Sequence, residues 1–205
     1  MEAQEDDDEI FVYMGGDQEV PERVRRARIH ISVKIITRRA FYHRRHLISV
    51  ELHDGIEIIE EEAFDRCFLL SGSIKLLGVR IIKEGAFFFC SSLTDVEFGD
   101  KLETIGEDVF SCCHLLRNIT MPHVRTIGVR ALYCCEQLTD LELPERLETV
   151  GYNAFNLCQR LRRIALPLKS DMIGDNVFGE CPQLKGVEVS TKLLPRCTWR
   201  AGEMK

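Results

Sequence analysis

Nine cysteines are the side chains best able to do chemistry in this 205-residue chain, as disulfides, soft-metal ligands or nucleophiles. Six of them, Cys67, Cys90, Cys113, Cys135, Cys158 and Cys181, follow one another at intervals of 22 or 23 residues. So constant an interval records the stacking of a structural repeat, whereas metal motifs place ligands within a few residues of each other. A buried free Cys also serves as a small hydrophobe. Besides Cys197 in the tail, Cys112 and Cys134 are the exceptions. Each stands beside a repeat cysteine, and the two are one repeat apart, so they could approach His114 as a soft-metal or redox pair. That ligand set is incomplete, and duplication of small buried residues accounts for the same pairs, so no metal and no cofactor is expected. The odd thiol count, with an acidic start where a secretory leader needs a basic end and an apolar run, implies a reducing intracellular setting, cytoplasmic or nuclear.

Other reactive arrangements are missing. The sequence has no Gly-rich phosphate loop, no metal-binding His pair, no Ser-centred nucleophile motif and no deaminase pattern, so an enzyme is not expected. Charge offers binding instead. The net charge of -6 sits in Glu2, Glu5, Asp6, Asp7, Asp8 and Glu9, a self-repelling run that reads as a disordered leader over residues 1–9. Arg23, Arg25, Arg26, Arg28, Arg38, Arg39, Arg44 and Arg45 then form a candidate anion-binding patch for phosphate or an acidic protein, unless the leader folds back on it. Nucleic acid is not the expected partner. No stretch approaches 20 apolar residues, so no membrane span is expected.

The elements that position these groups come from the repeat, which has to be found before any helix or strand is assigned. Phe41, Phe64, Phe87, Phe110, Leu132, Phe155 and Phe178 anchor seven units spaced by 23, 23, 23, 22, 23 and 23 residues. A small residue or Val precedes each anchor, Cys stands three after it (Arg44 in the first unit), Leu six after it, and Ile or Val five before it. After the repeated Leu comes an alternating segment such as Leu138-Thr139-Asp140-Leu141-Glu142-Leu143, whose period of two marks a strand with one buried side. A second apolar pair such as Leu147 and Val150 precedes a compact turn at Gly151. The Ala-Phe-x-x-Cys-x-x-Leu segment then spaces apolar residues by three and four, the period of one or two helical turns. The expected fold is therefore an α/β solenoid, with a short parallel β-sheet on its concave face and short α or 3-10 turns on the opposite face. Its array of about seven coils is expected over residues 29–190, with an N-terminal cap or partial repeat over 10–28 and an irregular tail over 191–205. In the cap, Ile10, Val12 and Phe11 are expected to add a covering strand turned at Gly15-Gly16, and Ile29 and Ile31 to match Val50 and Leu52. Exposed coil ends would favour self-association.

Units 45 residues apart resemble each other more than neighbours do: Leu93-Thr94-Asp95-Val96-Glu97-Phe98 recurs as Leu138-Thr139-Asp140-Leu141-Glu142-Leu143. A two-coil unit was therefore duplicated, and its period reaches the surface. One outward strand position reads Glu51, Lys75, Glu97, Thr120, Glu142, Ala165 and Glu188. The neighbouring one reads Ser49, Ser73, Asp95, Asn118, Asp140, Arg163 and Gly186. With strands ~4.8 Å apart, Asp95/Glu97 and Asp140/Glu142 form two acidic platforms. Glu51, Lys75, Asp95, Glu97, Asn118, Thr120, Asp140, Glu142, Arg163 and Glu188 are accordingly the candidate protein-binding residues, with charges that also guard an exposed sheet against lateral pairing.

The pattern Ile-Gly-x-x-Ala-Phe-x-x-Cys-x-x-Leu-x-x-Ile-x-Leu-Pro, nearly complete from Val150 to Pro167, resembles the leucine-rich repeats of the bacterial-surface-antigen type. Over residues 24–190 the chain is similar to such repeat proteins, including uncharacterised ones of diatoms. The resemblance implies a leucine-rich-repeat solenoid used for binding or adhesion, with no family-wide catalytic residues. The chain departs from the pattern at Arg44, at Leu132, and at an extra residue before Ile74 that makes Ser71-Gly72-Ser73 a candidate bulge.

Overall fold

A single unit is too small to bury its own apolar side chains, so the units stack into one continuous core. The structure is a computed structural model that describes residues 9–167, 173–190 and 198–199, without the side chains of 188–190 and 198–199. The acidic leader before Glu9, and Leu194, Pro195, Cys197 and Gly202 of the tail, lie outside the described residues.

Each coil contributes two strands. On one side lie β1 (Ile10–Tyr13), β2 (Arg26–Ile29), β4 (Ser49–Glu51), β6 (Gly72–Leu76), β8 (Leu93–Phe98), β10 (Asn118–Thr120), β12 (Asp140–Glu142), β14 (Arg163–Pro167) and β15 (Val187–Ser190). They pair in parallel in three sheets, β1-β2-β4, β6-β8-β10 and β12-β14-β15, the last with β16 (Thr198–Trp199) antiparallel at its edge. Alternation works as expected along these strands: Val96 and Phe98, Leu141 and Leu143, and Ile164 and Leu166 are buried. A second side had no counterpart in the sequence reading beyond a short apolar pair. There β3 (Ile35–Ile36), β5 (Ile58–Ile59), β7 (Ile81–Ile82), β9 (Thr104–Ile105), β11 (Thr126–Ile127) and β13 (Thr149–Val150) form one parallel six-stranded sheet.

Two local readings of the front end differ in the structure. Ala27, not Ile29, pairs with Val50, and Ile31 is 72% exposed. Ala27 keeps the 23-residue beat, and the larger apolar neighbours obscured it. In β1 it is Tyr13 that is fully buried, with its ring centroid 5.2 Å from that of Phe41 and its hydroxyl 2.8 Å from Thr37 Oγ1, while Val12 is exposed. The register between β6 and β8 shifts at Gly72/Ser73, where Gly72 takes a φ of 82°, so the extra residue before Ile74 is absorbed there.

The third side corrects the fold class. Among the described residues there is no helix, so the molecule is an all-β parallel solenoid and the expected α or 3-10 turns are absent. In each unit the residues two before and two after the anchor have positive φ: Arg39 and His43, Glu62 and Arg66, Gly85 and Phe89, Asp108 and Cys112, Arg130 and Cys134, Asn153 and Leu157, Asn176 and Glu180, all between 50° and 62°. A right-handed helix cannot hold a left-handed residue at every fourth position. Each of these residues is instead third in a four-residue turn, such as the turns closed by Ala40 N–H to Thr37 O at 3.1 Å and Arg44 N–H to Phe41 O at 3.2 Å. That is where a type II turn requires φ > 0.

The amides between those turns reach sideways rather than back along the chain. Arg39 donates to Glu61 O at 3.0 Å, Phe41 to Ala63 O at 2.7 Å and His43 to Asp65 O at 2.8 Å, and the same three bonds recur at the following coil junctions. Under this ladder the anchors stack: Phe41, Phe64, Phe87 and Phe110 lie with ring centroids 4.9, 5.1 and 5.4 Å apart and planes within 10°. Leu132 interrupts the stack and Phe155–Phe178 resumes it at 5.8 Å. The repeated cysteines tie coil to coil. Cys67, Cys90, Cys113, Cys135, Cys158 and Cys181 each donate a thiol hydrogen bond, 3.1–3.3 Å long, to the anchor carbonyl of the preceding coil. In the first unit Arg44 does the equivalent, with Nε 2.8 Å from Val20 O. Close approach also explains the repeated Gly: a Cβ on Gly151 would lie 2.4 Å from Val129 N.

Candidate binding surface

The long-strand face carries the candidate residues in two straight columns, because register is kept from coil to coil. Ser73 is opposite Asp95 and Asp95 opposite Asn118; Lys75 is opposite Glu97 and Glu97 opposite Thr120. Asp140 is opposite Arg163, and Glu142 and Glu188 flank Ala165. The side chain of Glu188 lies outside the described residues.

Charges along these columns are answered by the next coil. Glu51 Oε2 is 2.5 Å from Arg28 Nε, Glu97 Oε2 3.3 Å from Lys75 Nζ, and Asp140 Oδ1 3.7 Å from Arg163 Nε. Asn118 Nδ2 donates to Asp95 Oδ1 at 2.6 Å. Hydrogen bonds from Thr94 and Asn118 hold the Asp95 carboxyl below the usual carboxylate range, and the Arg28 guanidinium does the same for Glu51. Thr120 and Glu142 have no side-chain partner among the described residues. The two acidic platforms are thus a mixed-sign lattice in which Glu142 stands open. The same 23-residue pairing runs over the other faces, in Lys34–Glu57, Arg80–Glu103 and Arg125–Glu148.

The arginines proposed from sequence to bind anions divide between two sides. Arg26 and Arg28 lie on β2, and Arg28 is held by Glu51. Arg23, Arg25 and Arg26 also have partners. Arg38, Arg39, Arg44 and Arg45 belong to the first turn segment. There Arg39 pairs with Glu62 at 2.5 Å, Arg44 bonds the Val20 and Tyr42 carbonyls, and Arg45 lies over the Phe68 ring at 5.9 Å. The backbone amide of Arg38 donates to Glu60 Oε2 at 3.0 Å.

One functional group on the turn side escaped the sequence reading. Asp65, one residue past an anchor, is only 5% exposed, and its Oδ1 has no hydrogen-bond partner. Burial pushes its carboxyl up to about 6, against the pull of Arg66, whose Nη1 is 3.7 Å away. It lines a polar groove of about 280 Å³ with Arg39, Tyr42, Glu62 and Arg66. The available signal was a charge in a column that otherwise reads Tyr42, Phe88, Ser111, Tyr133, Asn156 and Gly179. Burial likewise raises the repeat thiols Cys67, Cys90, Cys113 and Cys135, Cys67 to about 12, so they are poor nucleophiles, whereas a hydrogen bond with Cys158 lowers Cys181. No helix among the described residues is long and apolar enough to cross a membrane.

Known proteins agree with this architecture. A family model described as BspA type leucine rich repeat region matches in 6 copies over residues 23–131 and 80–195. A leucine-rich repeat protein of T. pallidum is 33% identical with a TM-score of 0.70, over 74% of this chain and 72% of that one. A leucine-rich repeat protein from Bacteroides ovatus is 31% identical with a TM-score of 0.58, over 64% of this chain but only 34% of its own length. A leucine rich cell surface protein from Faecalibacterium prausnitzii shares the fold at 21% identity and a TM-score of 0.57, over 81% of this chain and 60% of its own. No curated protein matches the chain.

Proposed function

The chain belongs to the BspA-type leucine-rich repeat family, and on that premise we propose that it is a non-enzymatic scaffold that binds a protein partner across its long-strand face. Solenoids of this family commonly serve as interaction or adhesion scaffolds, and an extended, regularly spaced surface is what stacking provides. The observation that carries the reading is the pair of in-register columns through Lys75, Glu97 and Thr120 and through Asp95 and Asn118. Their neighbours along the chain alternate inward, so every exposed side chain there is polar and its spacing is set by the strands. Such a lattice fits a segment of mixed charge, with a basic group placed to meet Glu142, better than it fits an apolar one.

The test compares partner recovery by two sets of charge reversals. Glu51→Lys, Glu97→Lys, Glu142→Lys and Glu188→Lys alter the long-strand face, while Glu103→Lys and Glu148→Lys alter the other sheet. The partner captured by the native protein is expected to be lost from the first set and kept by the second. Equal recovery from both sets would reject the long-strand face as the binding surface.

A further inference from the structure

On the turn side, where the fourth and fifth anchors Phe110 and Leu132 lie, the donor side chains of His114, Cys134 and Glu136 converge, with Cys112 one coil before Cys134, a grouping that the rest of the array does not repeat. Cys112 and Cys134 each stand two residues past an anchor, with φ of 60° and 59°. Their amides donate to Tyr133 O at 2.8 Å and Asn156 O at 2.9 Å, so the cross-coil ladder holds the two cysteines one coil apart. The two thiols are near enough to act on each other's ionisation. Two residues further along come His114 and Glu136. Cys134 Sγ is 4.0 Å from His114 Nδ1 and 3.7 Å from Glu136 Oε1, and His114 Nδ1 is 3.5 Å from Glu136 Oε1. All four residues are half-buried, reachable from solvent yet partly screened from it.

We propose that Cys112, His114, Cys134 and Glu136 form a binding site for one borderline-soft divalent metal ion of the zinc class. The size of the cluster is the first argument. Tetrahedral coordination with bonds of ~2.3 Å to sulfur and ~2.0–2.1 Å to nitrogen and oxygen puts neighbouring donors about 3.3–3.8 Å apart. The three measured separations, 3.5, 3.7 and 4.0 Å, need only a few tenths of an ångström of contraction.

The second argument is that coil packing does not require these residues. Two past the anchor, the other units carry His43, Arg66, Phe89, Leu157 and Glu180, so the position does not demand a small or apolar side chain. Four past it they carry Arg45, Phe68, Ser91, Gln159 and Pro182. The repeat cysteines give their S–H to an anchor carbonyl, as Cys113 does to Phe87 O at 3.3 Å; Cys112 and Cys134 make no such bond. The Phe89 ring, 6.3 Å from the His114 ring, packs edge-on against the imidazole.

Binding follows a simple balance. Each thiol gives up its proton and forms a sulfur–metal bond, His114 supplies the Nδ1 lone pair with its proton on Nε2, and Glu136 supplies a carboxylate. Two protons go to solvent, and the 2+ ion with three anionic ligands carries a net charge of -1. Burial raises both thiols, Cys134 to about 11 with Cys112 and Glu136 adding to the effect. The metal-free pair is therefore protonated at neutral pH, and affinity rises with pH.

The test is titration of the reduced, metal-free chain with Co2+ under anaerobic conditions. One equivalent is expected to bind with a thiolate-to-cobalt charge-transfer band and tetrahedral visible bands, and Zn2+ should displace it. Cys112→Ser with Cys134→Ser should abolish the charge-transfer band while the far-UV dichroism of the solenoid persists. His114→Ala should weaken binding by at least the ~10-fold that loss of even an outer-shell partner produces. Failure of the native chain to bind one equivalent with thiolate ligation overturns the site. So does an unchanged band in the double variant, which would place the thiolates at Cys181 or Cys197.

Discussion

Replacement of Asp65 by Asn is expected to stabilise the folded protein at neutral pH and to have little effect in acid. The carboxyl is raised from 3.8 to about 6, chiefly by burial. Two units at ~1.4 kcal/mol each make about 3 kcal/mol that the ionised form costs the native state above pH 6. The neighbouring Arg66, whose side chain is 38% exposed, keeps part of the site wet, so about 1–2 kcal/mol is the realistic gain. The sign follows from linkage: the native state binds this proton more tightly, so the stability it contributes is complete below about pH 4 and lost by about pH 6–7. Asn is sterically acceptable because Asn156 occupies the same position beside Phe155, the anchor before the last, buried, with Nδ2 2.8 Å from Asn153 Oδ1. In the second unit Glu62 stands where Asn153 does, ready to accept the new amide. Urea unfolding of both proteins from pH 4 to pH 8 measures the difference. A variant no more stable than the native chain at pH 7.5, or one whose advantage does not shrink towards pH 4, refutes the assignment of the penalty to a buried charge.

Two further perturbations address the turn side. Phe87→Ala removes the middle of the aromatic stack, where the ring is fully buried between Phe64 and Phe110, and is expected to destabilise by about 3–5 kcal/mol by denaturant unfolding. Phe87→Leu should be milder, because Leu132 already fills an anchor position. Glu180, exposed and at φ 50°, carries left-handed strain without packing in return. Glu180→Gly is therefore expected to raise stability by ~0.5–1 kcal/mol, and a fall in the unfolding midpoint would contradict the strain.

The repeat, its 23-residue beat, the buried face of each long strand and the role of the repeat cysteines as core residues were all legible in the sequence. So was the bulge at Gly72, from one surplus residue. They are legible because they depend on apolar type and count along the chain alone. The error of class came from the Ala-Phe-x-x-Cys-x-x-Leu segment. Apolar side chains three and four apart return to the same side in a helical turn, and they do so equally in tandem type II turns. The two differ in where the amides go, and for Phe41, Phe64 and Phe87 they go to the next coil. That choice is made only when a second coil offers carbonyls at the right height, which is why non-Gly residues such as Glu62 and Leu157 accept positive φ.

Electrostatics divides the same way. The sequence placed Glu51, Glu97 and Asp140 on an outward face, and the structure keeps them there. Their partners Arg28, Lys75 and Arg163 are 22 or 23 residues distant, so the pairing is a property of register rather than of neighbours in the chain. The convergence of Cys134, His114 and Glu136 has the same origin, since residues two and four past successive anchors meet only after the coils stack. Composition and spacing therefore determined that this chain winds and what its core contains. Tertiary stacking decided the hand of its turns and which polar groups face each other, because both are set by hydrogen bonds and distances that run between coils.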